Sequence, residues 1–178
     1  MNVILIGYRG SGKTSVGKRL ANRLWKDFVD VDDETRKRFD GKTIAEVWDT
    51  HGEPAWREAE VAVTRELCAR DDLVIGLGGG TLMQPGAREA VEASDAKRIY
   101  LRCGVEELAR RIESDADSPG SRPSLTAAAG VEAKSASEEI AEVLAEREPI
   151  YRAVADSEFN VTHCRVPEVV QHLMRSHL

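Results

Sequence analysis

Cysteine is scarce. Cys68, Cys103 and Cys164 are the three in 178 residues, and no two form a C-x-x-C pair. This excludes a disulfide framework and a structural zinc site, and it fits the reduced, buried thiols of a cytoplasmic protein. The four histidines include no H-E-x-x-H pair, so the metalloprotease signature is also missing. No apolar run approaches the ~18 residues that a spanning helix needs. Because the first apolar stretch starts at Asn2, no signal peptide is expected. An excess of basic residues is absent too. Lys and Arg total 25 against 31 Asp and Glu, a formal net charge of -6. A broad nucleic-acid-binding surface is therefore not expected, and any anionic ligand must be held by local basic groups. There are no internal repeats. What remains is 42% hydrophobic and 31% charged, the balance of a globular chain of one domain, residues 1–178, with a full core.

Against this background one stretch stands out. Gly7-Tyr8-Arg9-Gly10-Ser11-Gly12-Lys13-Thr14 fits G-x-x-x-x-G-K-[ST], the loop that cradles phosphate. Its glycines permit a tight turn that points backbone N–H groups inward at anionic oxygens. Lys13 can reach terminal phosphates, the Thr14 hydroxyl can ligate Mg²⁺, and the following helix adds the positive end of its dipole. Gly10, Ser11, Gly12, Lys13, Thr14 and Ser15 are thus the expected nucleotide-binding residues. The context agrees, since residues 2–6 read as a buried strand and 15–24 as an amphipathic helix.

Further along, 27–32 reads as a short strand carrying Asp30 and Asp32, and 33–39 as a helix. Thr43-Ile44-Ala45-Glu46 forms a capping box for a short helix over 44–50. A longer helix follows over 55–69. Residues 73–77 are a third strand running into Gly78-Gly79-Gly80. A helix over 85–93, a strand over 98–101 and a helix over 105–113 come next. The stretch 114–121 is too polar to build a core. A helix over 137–155, bent or interrupted at Pro149, a strand over 159–162 and a helix over 167–175 complete the chain. Alternating strands and helices predict a parallel sheet covered on both faces, with ligands at the carboxyl ends of the strands. Neither the N-K-x-D of GTPases nor the L-S-G-G-Q of transport ATPases occurs.

Six features in order are the loop 7–14, Asp30-x-Asp32, Gly52-Glu53 with Trp56-Arg57 and Glu60, Gly78–Gly80, Arg122-Pro123, and Arg147 four residues before Tyr151. By these the sequence resembles the shikimate kinases, in the nucleoside-monophosphate-kinase-like group. The resemblance implies a three-layer α/β P-loop kinase fold with a five-stranded parallel sheet in the order 2-3-1-4-5. It also implies substrate-binding helices over about 32–62 and a mobile lid over about 114–127. The implied reaction is ATP- and Mg²⁺-dependent phosphorylation of the 3-hydroxyl of shikimate, in chorismate and aromatic amino-acid biosynthesis, by a cytoplasmic monomer without nucleic-acid or membrane partners.

The implied roles suit the residue types. Arg57 and Arg147 would grip the shikimate carboxylate, because guanidinium matches carboxylate bidentately. Asp32 would orient the attacking hydroxyl and take its proton, and Asp30 with Thr14 would serve the metal. Gly78, Gly79 and Gly80 would leave space for substrate. Lys13 and Arg122 would meet phosphate charge, with Arg122 arriving on the lid. Arg111 and Arg165 would border adenine. The chain departs from the family's pattern in the Pro/Gly/Ser-rich approach at 118–121 and in Ser124 after Arg122-Pro123, both of which bear on lid closure. Two other readings are a kinase for another small acceptor, such as a gluconate-type sugar acid, and a nucleotide-binding module without catalysis.

Overall fold

In a computed structural model, the described residues are 1–115 and 135–176. Five strands form a single parallel sheet in the order β2-β3-β1-β4-β5. They are β1 (Asn2–Ile6), β2 (Asp27–Asp30), β3 (Leu73–Gly76), β4 (Ala96–Arg102) and β5 (Ser157–Asn160). Val3, Ile4, Leu5 and Ile6 of β1 are all buried, as expected for a central strand covered on both faces. At its start, the buried Asn2 side chain donates to the Arg70 carbonyl (2.6 Å) and accepts from the Leu73 N–H (2.9 Å), fixing β1 beside β3.

The helices are α1 (Lys13–Leu24), α2 (Val31–Lys37), α3 (Ile44–His51), α4 (Glu53–Cys68), α5 (Pro85–Ala93), α6 (Val105–Ser114), α7 (Ala136–Val154) and α8 (Val166–Ser176). A 3-10 turn covers Thr81–Met83. The helices pack in two groups, α1 with α8, and α4 with α5 and α7. The crossover from β1 to β2 runs one way along the sheet and the later ones run the other way, so crossovers of one hand divide the helices between its two faces. The fold class and strand order expected from the sequence hold.

Three local expectations need correction. β2 stops at Asp30, and Asp32 lies in the first turn of α2. The Asp30 side chain accepts from the Asp32 N–H (3.0 Å) and caps that helix, whose first turn suits Asp32, Asp33 and Glu34 through the dipole. Next, of the two outcomes expected at Pro149, the interruption does not occur, since Ala136–Val154 is one helix. Ile140, Val143 and Leu144 before the proline and Tyr151 and Val154 after it are buried on one stripe, and that packing outweighs one missing backbone bond. Last, β5 is Ser157–Asn160 rather than 159–162. The expected lid at 114–127, with Arg122 and Ser124, lies outside the described residues apart from its first two.

Close approach of α1 to β2 depends on Gly17. A Cβ there would lie 2.2 Å from Phe28 Cε2. Gly17→Val should therefore destabilise the protein by about 1–3 kcal/mol, seen as a lower thermal midpoint. The same change in a Phe28→Leu background should cost less, read as coupling in a double-mutant cycle.

Candidate active site

The phosphate loop joins β1 to α1 between β3 and β4, where the strand order reverses. Gly10 (φ 79°) and Gly12 (φ 92°) take left-handed backbone, which glycine adopts without penalty. Gly12 caps α1 with no side-chain hydrogen bond, so the first N–H groups of the helix remain open to an anion. The Ser11 hydroxyl beside them is buried and lacks a hydrogen-bond partner. Lys13 Nζ donates to the carbonyls of Gly7 (2.7 Å) and Tyr8 (2.9 Å), arching over its own loop.

Thr14 Oγ1 donates to Asp30 Oδ2 at 3.1 Å. This brings together the hydroxyl and carboxylate expected to serve a metal. Burial, then the neighbouring Asp32, raises the pKa of Asp30, while Lys13 pulls it down. Among the described residues no group of three or more His, Cys, Asp or Glu could hold a metal. A cation here must take its remaining ligands from phosphate oxygens and water, the usual manner of Mg²⁺.

A cavity of about 510 Å³, its open mouth included, lies next to the loop. Tyr8, Arg9, Asp32, Ile44, Trp48, Trp56, Arg57, Gly79, Gly80 and Arg147 line it. Arg57 is held from behind. Its Nη1 donates to Glu60 Oε2 (2.9 Å), its Nε to Glu53 Oε1 (3.1 Å), and its guanidinium carbon sits 5.7 Å from the Trp48 ring centroid. Glu60 is 1% exposed, and its other oxygen accepts from the Thr81 hydroxyl at 2.6 Å. A charge so deeply buried requires such partners. From α7, Arg147 Nη1 donates to the Gly79 carbonyl (2.9 Å), as does the Tyr151 hydroxyl.

Two glycines of the triplet, Gly78 and Gly80, are needed for space. A Cβ on Gly78 would lie 2.4 Å from Asp32 Oδ1 and 2.9 Å from Glu60 Oε1, and one on Gly80 would lie 2.8 Å from Arg57 Nη1. Asp32, Arg57, Gly79, Gly80 and Arg147 line one pocket, whereas Gly78, also expected there, is not among its lining residues.

A larger cleft of about 2400 Å³ opens on the other side of the loop. Its wall includes Gly10, Gly12, Lys13, Thr14, Ser15, Asp30, Arg111 and Arg165, all expected there. Arg111 is fixed by Glu107 Oε1 (2.7 Å) and the Val161 carbonyl (3.1 Å). Hydrogen bonds from Arg110 and Arg111 bring the Glu107 carboxyl down to about 2. Arg165 is mostly exposed and paired with Glu168 at 2.8 Å. The two cavities meet, because Arg9, Asp32 and Gly79 line both.

Sequence reading assigned no role to Tyr8, Ile44, Trp48, Thr81, Glu107 or Tyr151. Glu107 carried a signal, since arginines three and four residues later share its helix face. Thr81 carried none, because its partner lies 21 residues away, and Tyr151 figured only as a marker four residues after Arg147, its partner lying 72 residues away.

Comparison with known proteins agrees with this geometry. The family model for shikimate kinase matches residues 9–177. The chain belongs to the shikimate kinase family. A shikimate kinase of Rhodopirellula baltica is 33% identical over 175 residues, 98% of this chain and 89% of that one. That of Syntrophus aciditrophicus is 36% identical over 176 residues, with the same coverage. Among solved structures, a shikimate kinase from Acinetobacter baumannii in complex with shikimate has a TM-score of 0.86 at 29% identity, covering 98% of this chain and 90% of that one. The chain is thus an enzyme and a kinase. The joined clefts agree with this family, since a kinase must bring nucleotide and acceptor to one seam.

Two outcomes follow for this shikimate kinase family member. Thr81→Val removes one of the bonds to buried Glu60. It should lower stability by about 1.5–3 kcal/mol and raise the acceptor KM more than it changes kcat, whereas Thr81→Ser keeps both near wild type. For Asp30, a carboxyl pKa raised by folding means that the native state binds the proton more tightly than the unfolded chain. Stability is then lost as pH rises from the ordinary carboxylate range through the raised value. Asp30→Asn keeps a capping side chain but not the charge. It should raise the ligand-free thermal midpoint at neutral pH, while Mg²⁺ titration of activity should show a higher requirement.

Proposed function

We propose that this chain transfers the γ-phosphoryl group of ATP to the 3-hydroxyl of shikimate, forming shikimate 3-phosphate in aromatic amino-acid biosynthesis. The observation that carries the reading is the seam. A cavity sized for a small acid and bordered by Arg57 and Arg147 meets the nucleotide cleft at Asp32. Arg57 and Arg147 bind the shikimate carboxylate, and Gly79 and Gly80 let the ring approach the backbone. Asp32 orients the hydroxyl and accepts its proton. An ordinary aspartate is a weak base for an alcohol, but phosphoryl transfer has a loose transition state, so the proton can leave late. The open N–H groups of α1 and Lys13 hold the phosphates. Thr14 and Asp30 would hold Mg²⁺, which would supply positive charge against the phosphate oxygens. Arg111 and Arg165 border the adenine side, and Arg122, assigned by resemblance to the lid, meets the developing phosphate charge. The net charge of -6 and the lack, among the described residues, of a helix long and apolar enough to cross a membrane agree with small molecules as partners. A monomer in the cytoplasm completes the reading.

The test is steady-state ADP release with ATP and Mg²⁺, with and without shikimate, and with gluconate as a second acceptor. Release that depends on shikimate and not on gluconate is expected. Equal turnover with both, or none with shikimate, would remove the reading. Asp32→Asn should lower kcat by about 10²–10⁴ with ATP affinity nearly unchanged by calorimetry. Near-normal turnover in that variant would end the role given to Asp32.

A further inference from the structure

We propose that Arg9, inside the phosphate loop, is a further catalytic residue whose guanidinium meets the phosphoryl group as it crosses from the nucleotide cleft to the acceptor. The proposal rests on the functional reading above. The motif leaves this position open to any residue, so the loop's own fold does not require an arginine here.

Three observations carry the proposal. Arg9 is one of three residues, with Asp32 and Gly79, that line both cavities. It is half-buried, and its Nε is buried with no hydrogen-bond partner. Among the described residues it forms no ion pair, whereas Arg57 has two carboxylates. The Tyr8 hydroxyl next to it is buried, and the Arg9 guanidinium offsets part of the rise that burial causes in its pKa. A Cβ on Gly79 would lie 3.6 Å from the Arg9 backbone nitrogen and 3.5 Å from Arg147 Nη1, so the two arginine residues flank that glycine.

A desolvated guanidinium N–H without an acceptor is unfavourable, and an anionic oxygen relieves it. Charge balance selects the oxygen. The acceptor carboxylate already has Arg57 and Arg147, while Arg9 alone of the three arginines also reaches the nucleotide side. There, negative charge spreads over the oxygens of the phosphoryl group in transit, and a cation placed at that point acts on the transition state rather than on binding. No bond forms to Arg9, which keeps its proton throughout.

The test compares wild type, Arg9→Met and Arg9→Lys in steady-state kinetics over ATP and shikimate, with thermal midpoints alongside. Arg9→Met should lower kcat by about 10²–10³, with each KM within about threefold of wild type and the midpoint little changed. Arg9→Lys should recover part of the loss. A kcat within about threefold of wild type overturns the proposal. So does a loss confined to the KM for shikimate, which would make Arg9 a third carboxylate ligand. Should Arg9→Met not fold, the kcat of Arg9→Lys decides alone: a drop of at least about tenfold with unchanged KM supports the role, and wild-type kcat overturns it. If wild type itself shows no shikimate-dependent ADP release, the functional reading falls and the role of Arg9 falls with it. Wild-type turnover with a normal Arg9→Met removes only the role of Arg9.

Discussion

Parallel pairing around β1 is the constraint on which the site depends. When every strand runs the same way, every carboxyl end arrives at one edge of the sheet. Here those ends deliver the phosphate loop after β1, Asp30 at the end of β2, the glycine triplet after β3 and the turn beyond β5. The loop sits where the strand order changes direction, so α1 can present an uncapped N-terminus to a ligand instead of to another strand. The registers Asp30↔Gly76 and Leu5↔Gly76 then set how near the acid, the loop and the triplet lie.

On that edge, electrostatics makes the acceptor pocket rigid. Arg57 would wander as a free helix side chain, since a long flexible cation loses considerable rotamer entropy when fixed. It is fixed because Glu60 is buried beneath it and Thr81 holds the other carboxylate oxygen. The bare Cα atoms of Gly78 and Gly80 allow Asp32, Glu60 and Arg57 to crowd the same few ångströms. Rigid placement of this kind favours catalysis more than added contact area does.

Asp30 shows the opposing demand. Its carboxylate caps α2, bonds Thr14 and stands near Asp32, so it is held in a place where its charge is unwelcome without a cation. Strain of that sort is typical where a site is built to receive an ion. The same carboxylate thus serves the fold as a cap and burdens it as a charge.

Much of this was legible in the chain itself. The phosphate loop is a local pattern read from eight consecutive residues, the alternation of apolar strands and amphipathic helices dictates a parallel sheet, and the spaced motifs name the family. These features survive in sequence because their causes are local: turn geometry, hydrophobic period, capping. Tertiary structure decided the rest. It placed Asp32 on a helix rather than a strand, kept α7 whole across Pro149, and set Thr81 under Glu60, Tyr151 on Gly79 and Arg9 at the junction of two cavities. Each of these depends on side chains brought together by packing across tens of residues, and no periodicity or short motif encodes such a distance.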